Sequence, residues 1–91
     1  MKKRLTVYFE GHVQGVGFRY ETQKLAAGYD VAGTVENLDD GRVLLVGEGE
    51  EEELRIFLAD LMKSHLGPHV RRYEEGWDEA RGGLAGFRIA R

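Results

Sequence analysis

Cysteine is absent from the 91 residues, which excludes a disulfide framework, an iron–sulfur cluster, a thiolate zinc site and a cysteine nucleophile. Proline occurs once, and no apolar run approaches the ~20 residues of a membrane-spanning helix. The opening Met1-Lys2-Lys3-Arg4 has the charge of an export signal, yet the apolar stretch behind it, Leu5 to Phe9, ends at Glu10, short of the ~7 residues such a segment needs. An excess of positive charge is also lacking. Thirteen basic against 16 acidic residues give a formal net charge of −3 and a pI near 5.6, so nothing global draws the chain to nucleic acid or to an anionic membrane. The expectation is a cytoplasmic protein with no nucleic-acid or membrane partner, in which any anion site is local.

What is present suffices for one core. At 42% hydrophobic residues, a chain of this length buries somewhat above ~60% of its unfolded surface, and no linker, repeat or low-complexity tract divides it. Residues 1–91 are therefore expected to form a single domain, and a monomer. Residues 5 to 9 alternate at period two, which predicts a strand with Leu5, Val7 and Phe9 inward, ending at Gly11. Phe18, Thr22, Leu25, Ala26 and Tyr29 recur at helical spacing, with Gly28 at the far end. Two Val/Leu-rich runs, 31–37 and 42–47, flank Asp40-Gly41, a hairpin signal because glycine tolerates positive φ. Leu54, Phe57, Leu58, Leu61 and His65 form a second helical stripe closed by Gly67-Pro68, and residues 69–77 and 86–90 read as weaker strands around Gly82-Gly83. The order β-α-β-β-α-β predicts an α+β fold, the ferredoxin-like split βαβ sandwich, with an antiparallel sheet and both helices on one face. That architecture hosts enzymes, RNA binders and metal carriers alike, so it decides nothing about function.

Chemistry is concentrated in Gly11-His12-Val13-Gln14-Gly15-Val16-Gly17-Phe18-Arg19, which joins the first strand to the first helix. Glycines at this spacing let successive N–H groups turn inward, and a nest opening onto a helix N-terminus is a ready anion site. The segment lacks the Gly-Lys-Ser/Thr ending of a nucleotide-binding P-loop, and Tyr20 stands where the dinucleotide fingerprint has its third glycine. Arg19 lies in the first helical turn, where a cation opposes the helix dipole; an anion in the loop reverses that sign, and the guanidinium can grip two oxygens at once. From position alone Arg19 can equally be read as a solvated surface arginine.

The run Gly11-x-Val13-Gln14-Gly15-Val16-Gly17-Phe18-Arg19 resembles the phosphate-binding signature of the acylphosphatases. Gly33-Thr34-Val35-Glu36-Asn37-Leu38-Asp39-Asp40-Gly41-Arg42-Val43 is similar to that family's second signature, in the same order and spacing. The resemblance implies hydrolysis of an acyl phosphate to a carboxylate and inorganic phosphate, with no metal, cofactor or covalent intermediate. It implies that Arg19 grips the phosphoryl group, that Asn37 orients the attacking water, and that loop amides from Val13 through Gln14, Gly15, Val16 and Gly17 to Phe18 cradle the phosphoryl oxygens. Thr34 replaces the family's usual bulky aromatic, His12 takes a position that is often basic, and Glu36 puts a negative charge next to Asn37 that is expected to weaken binding of an anionic substrate. On residue type alone, Asn37 also reads as a turn residue ahead of Asp39-Asp40-Gly41.

Other clusters carry less. His65 and His69 have a helical metal-ligand spacing, but Gly67-Pro68 lies between them and a third ligand is lacking. Glu48 and Glu50 to Glu53 read as a helix cap and solvated face, Val70-Arg71-Arg72-Tyr73 as a solvated strand, and Trp77 as packed on the sheet. Two alternatives stand beside the hydrolase: a non-catalytic phosphate-binding or regulatory module, and an RNA-binding domain, which needs exposed aromatics on the central strands and a basic face.

Overall fold

A computed structural model describes residues 1–91. The elements are β1 (Lys2–Gly11), α1 (Phe18–Ala26), β2 (Ala32–Asn37), β3 (Val43–Glu50), α2 (Glu51–Lys63), a 3-10 turn (Gly67–His69), β4 (Val70–Glu79) and β5 (Phe87–Ile89). The strands form one sheet in the order β4-β1-β3-β2-β5. The expected ferredoxin-like α+β arrangement is present, with the β1–β3, β1–β4 and β2–β3 ladders antiparallel. The short β5 is the exception, joining β2 in parallel through Gly33 opposite Phe87 and Val35 opposite Ile89.

The core follows from the two periodicities. Leu5, Val7 and Phe9 of β1, Val35 of β2, and Val43 and Leu45 of β3 alternate onto one face and are fully buried there. They meet the stripe Leu54, Phe57, Leu58 and Leu61 of α2, and Phe18 and Ala26 of α1, in a single cluster. The Phe9 and Phe18 rings lie 4.9 Å apart, and Phe57 packs edge-on to Phe87 at 5.8 Å. Arg4, Thr6, Tyr8, Leu44, Val46 and Glu36 alternate onto the other face, where the Arg42 guanidinium stacks on the Tyr8 ring at 4.5 Å.

Boundaries differ from the sequence reading for tertiary reasons. β1 runs from Lys2 rather than Leu5 because it is central and paired on both sides. α2 stops at Lys63, before His65, because Ser64 turns to extended ψ while its hydroxyl donates to Leu61 O at 2.6 Å and accepts Leu66 N–H at 3.1 Å. β4 is an edge strand, so only Val70 and Trp77 are even half-buried and its alternation is faint in the sequence. Trp77 lies opposite Leu5 and takes the Arg55 guanidinium on its ring at 4.6 Å.

The acidic run divides. Glu51, Glu52 and Glu53 occupy the first turn of α2 as expected, with Glu51 paired to Arg55 and Glu53 accepting Asp30 N–H. Glu48, read above as part of the same solvated face, is instead buried in β3. Its carboxylate pairs with Arg4 Nε at 2.8 Å and accepts the backbone N–H groups of Arg81 at 2.8 Å and Gly82 at 3.0 Å. The chain between β4 and β5 has to travel from one edge of the sheet to the other, and Glu48 holds it midway. The Arg81 N–H foremost, then Arg4 and the Gly82 N–H, keep the Glu48 carboxyl below its ordinary range.

Glu48→Gln is expected to cost ~2 kcal/mol of stability at neutral pH, the scale of hydrogen bonds to a charged group. Because the native carboxyl titrates below its unfolded value, its contribution is present above the ordinary pKa of 4.5 and lost as pH falls through the depressed native one. Urea unfolding of both proteins between neutral pH and about pH 3 checks this: the gap between them closes in acid, whereas a gap independent of pH would detach the effect from the charge.

Candidate phosphate-binding site

The site forms where β1 ends. The β1–β4 register shifts between Glu10 and Gly11, and His12 N–H then donates to His69 O at 2.9 Å, which starts the loop. Val13 and Phe18 are buried and Val16 packs against the core, so these three side chains anchor the segment. Gly15 (φ 79°) and Gly17 (φ 80°, ψ 19°) take left-handed conformations that L side chains rarely adopt. Gly17 is also the N-cap of α1 and offers no side chain to its first turn. The N–H groups from Gly15 to Tyr20 accordingly have no acceptor within the chain, until Glu21 N–H closes the first helical bond to Gly17 O at 3.0 Å. A row of free donors at a helix N-terminus is an anion nest.

Beside this nest lies a cleft of about 400 Å³ lined by Gln14, Arg19, Asn37, Leu38, Asp39 and Arg91. The structure thus brings together Arg19 and Asn37, from the two separate signatures. Arg4, Arg42, Arg55, Arg72, Arg81 and Arg91 all pair with carboxylates, whereas the Arg19 guanidinium has no partner in the chain. The Asn37 side chain has none either, although its backbone N–H is fixed by Arg91 O at 2.9 Å. Val13, Val16 and Phe18 direct their side chains into the core and can contribute only backbone; Gln14 is among the residues lining the cleft, with its side-chain amide bonded to the turn.

The turn after Asn37 is braced. Leu38 N–H donates to Arg42 O at 2.8 Å, Gly41 N–H to Leu38 O at 3.1 Å, and Asp40 accepts both the N–H and the Nε–H of Arg42 at 3.0 and 2.8 Å. The Arg42 N–H, followed by its side chain, lowers the Asp40 pKa.

Asp39 and Arg91, which pair at 2.9 Å, line the cleft but were not singled out by sequence reasoning. Asp39 reads as turn composition. Arg91 reaches the site only through the β2–β5 ladder, whose partners lie more than fifty positions apart and leave no local signal. Glu36 corrects the expectation placed on it: it pairs opposite Leu44 on the uncovered face of the sheet and does not line the cleft, because strand alternation turns it away from its neighbour Asn37. His65 is exposed and His69 instead faces the His12 ring at 5.9 Å; no group of three or more His, Asp or Glu side chains is arranged to hold a metal ion. No helix is long and apolar enough to cross a membrane.

Comparison with known proteins agrees with this geometry. The acylphosphatase family model matches residues 5–89. The chain is 40% identical to an acylphosphatase of Rhodococcus jostii, covering 93% of this chain and 96% of the relative, and 42% identical to one of Thermus thermophilus, covering 94% and 97%. It superposes on the crystal structure of acylphosphatase from Bacillus subtilis with a TM-score of 0.89 and 32% identity, over 98% of this chain and 99% of that one.

Glu36→Lys is expected to leave the affinity for inorganic phosphate within about two-fold at physiological salt, since the charge lies on the other face of the sheet and salt screens what field reaches the cleft. Calorimetric titration with phosphate at low and physiological ionic strength measures it; a tightening that fades with salt would return Glu36 to the site.

Proposed function

The chain belongs to the acylphosphatase family and is an enzyme that hydrolyses acyl phosphates, and we propose that it does so as a single cytoplasmic domain, acting as a monomer and without a metal ion. In this reading the phosphoryl group enters the nest between Val13 and Phe18, with Arg19 against its oxygens, and Asn37 holds a water against phosphorus. The water oxygen forms the new P–O bond as the bond to the acyl oxygen breaks. The carboxylate leaves with the electron pair, and the water proton passes to a phosphoryl oxygen. An amide cannot take that proton, and a carboxylate is a good enough leaving group that no strong protein base is required. Catalysis is then positioning together with charge stabilisation on the equatorial oxygens.

The observation that carries the reading is the pairing of two uncommitted polar side chains, Arg19 and Asn37, on the walls of one cleft beside the free amides of Gly15 to Tyr20. Arg71 and Arg88 likewise lack a carboxylate partner, but neither lines this cleft, where Arg19 and Asn37 meet. Donors left free in the cleft are available to a phosphoryl group and a water.

Two measurements test it. Arg19 acts on the phosphoryl group in ground and transition states alike, so Arg19→Ala is expected to weaken phosphate inhibition and to cut turnover of acetyl phosphate about a hundred-fold or more. Asn37 acts on the water, so Asn37→Ala is expected to lose turnover while keeping phosphate affinity within about three-fold. Two fully active variants would end this assignment, and loss of phosphate affinity in Asn37→Ala would end its water-orienting role. Separately, turnover is expected to survive dialysis against excess chelator; an enzyme inactivated by chelator and restored by a divalent ion would overturn the metal-free mechanism.

A further inference from the structure

The side chain of Gln14 forms the hydrogen bonds that join the phosphate loop to the turn carrying Asn37. Its Nε2 donates to Leu38 O at 2.8 Å and to Arg42 O at 3.0 Å, which uses both amide hydrogens. The orientation of the amide is fixed by chemistry: turned over, it would set Oε1 against two carbonyl oxygens, neither of which can donate. The two acceptors are also the two ends of the β2–β3 turn, since Leu38 N–H donates to that same Arg42 O. Leu38 directly follows Asn37. On the other side of the loop, the backbone bond from His12 to His69 ties it to the start of β4. Without Gln14 the loop and the Asn37 turn would share no hydrogen bond, and the intervening glycines at 15 and 17 give the loop little stiffness of its own.

We propose that Gln14 is a positioning residue for the hydrolysis, acting through Asn37. By fastening the turn to the loop at two points it sets the separation between the water at Asn37 and the phosphorus in the nest, and so keeps attack in line. The proposal rests on the water-orienting reading of Asn37. It differs from a backbone role for residue 14 in the nest, because it assigns the effect to the side-chain amide, which faces the turn rather than the anion. Misplacement by about 1 Å can cost on the order of a hundred-fold in rate, whereas binding of the phosphoryl group by Arg19 and the loop amides does not require the turn.

The experiment is a double-variant cycle on the whole chain, with acetyl phosphate as substrate and inorganic phosphate as inhibitor. Gln14→Leu, which keeps bulk and removes both donors, is expected to lower kcat by about ten- to a hundred-fold while the phosphate inhibition constant stays within about three-fold. Gln14→Leu combined with Asn37→Ala is expected to be no slower than Asn37→Ala alone within about two-fold, because an Asn37 that is gone cannot be misplaced. Gln14→Glu is the isosteric check should the leucine variant unfold by circular dichroism. Its carboxylate repels both carbonyls when ionised and donates once when protonated, so its kcat relative to the parent chain is expected to rise in acid. Multiplying effects in the double variant, an unchanged kcat, or a phosphate constant that weakens as much as kcat falls would each overturn the proposal. An Asn37→Ala that turns over normally would overturn it too, and would locate the failure in the reading of Asn37, whereas a slow Asn37→Ala with multiplying effects would locate it in Gln14.

Discussion

A chain that builds four strands and then needs a fifth on the far edge has to cross its own sheet. The crossing segment brings backbone N–H groups onto strands whose own donors and acceptors are already paired. In this protein the carboxylate of Glu48 meets them, accepting Arg81 and Gly82 while holding Arg4. A buried carboxylate left unpaired would be costly, but here several donors converge on it and the burial becomes a constraint rather than a defect. Downstream of that grip, β5 pairs with β2, Gln23 of α1 donates to Phe87 O at 3.1 Å, and Arg91 reaches the cleft beside Asn37. The end of the sheet that holds the cleft is thus held partly by a carboxylate at the opposite end.

The two ends of the sheet treat polar groups differently. Around Glu48 the donors are matched to acceptors. Around the cleft, donors remain free on a framework whose surroundings are matched: the Asn37 turn is closed by Asp40 and by its own backbone, and the loop is pinned by Val13 and Phe18 in the core. Free donors on a rigid frame need no reorganisation when an anion arrives, which is the condition under which electrostatic stabilisation is most effective. The apolar residues of the loop matter to the site through this rigidity, without touching it.

Much of this was legible in the sequence. Alternation in Leu5 to Phe9, the helical stripes from Phe18 and from Leu54, and the Asp40-Gly41 turn are local signals backed by burial, and the elements formed where those signals lay. The glycine loop opening onto α1, with Arg19 in its first turn, was legible because glycine spacing and helix starts are local patterns, while the role proposed for Asn37 came only through resemblance. The rest depended on pairing over long distances. Glu48 looks like its acidic neighbours until the crossing segment is seen to lie on it. The thinly patterned β4 is an edge strand with one neighbour, and Arg91 belongs to the cleft only because β5 lies parallel to β2. Glu36 shows the converse: adjacency to Asn37 in sequence meant opposition across the sheet.

The exposed edge strand β4 also bears on how the protein behaves at high concentration. Ten residues of strand with one free edge are a template on which another chain could add by backbone pairing. Arg71, Arg72, Glu74, Glu75, Asp78 and Glu79 guard it, because an incoming strand would have to strip water from charges of both signs. The guard is electrostatic rather than steric, and most of it is carboxylate. Among them the Asp78 carboxyl is held below its ordinary range by the Glu79 N–H and the Arg81 side chain, as Glu48 is held below its own by the crossing segment and Arg4. Resistance to self-association along the open edge and the hold on the crossing segment are therefore both sustained by ionised carboxylates, so colloidal and conformational stability draw on the same kind of charge.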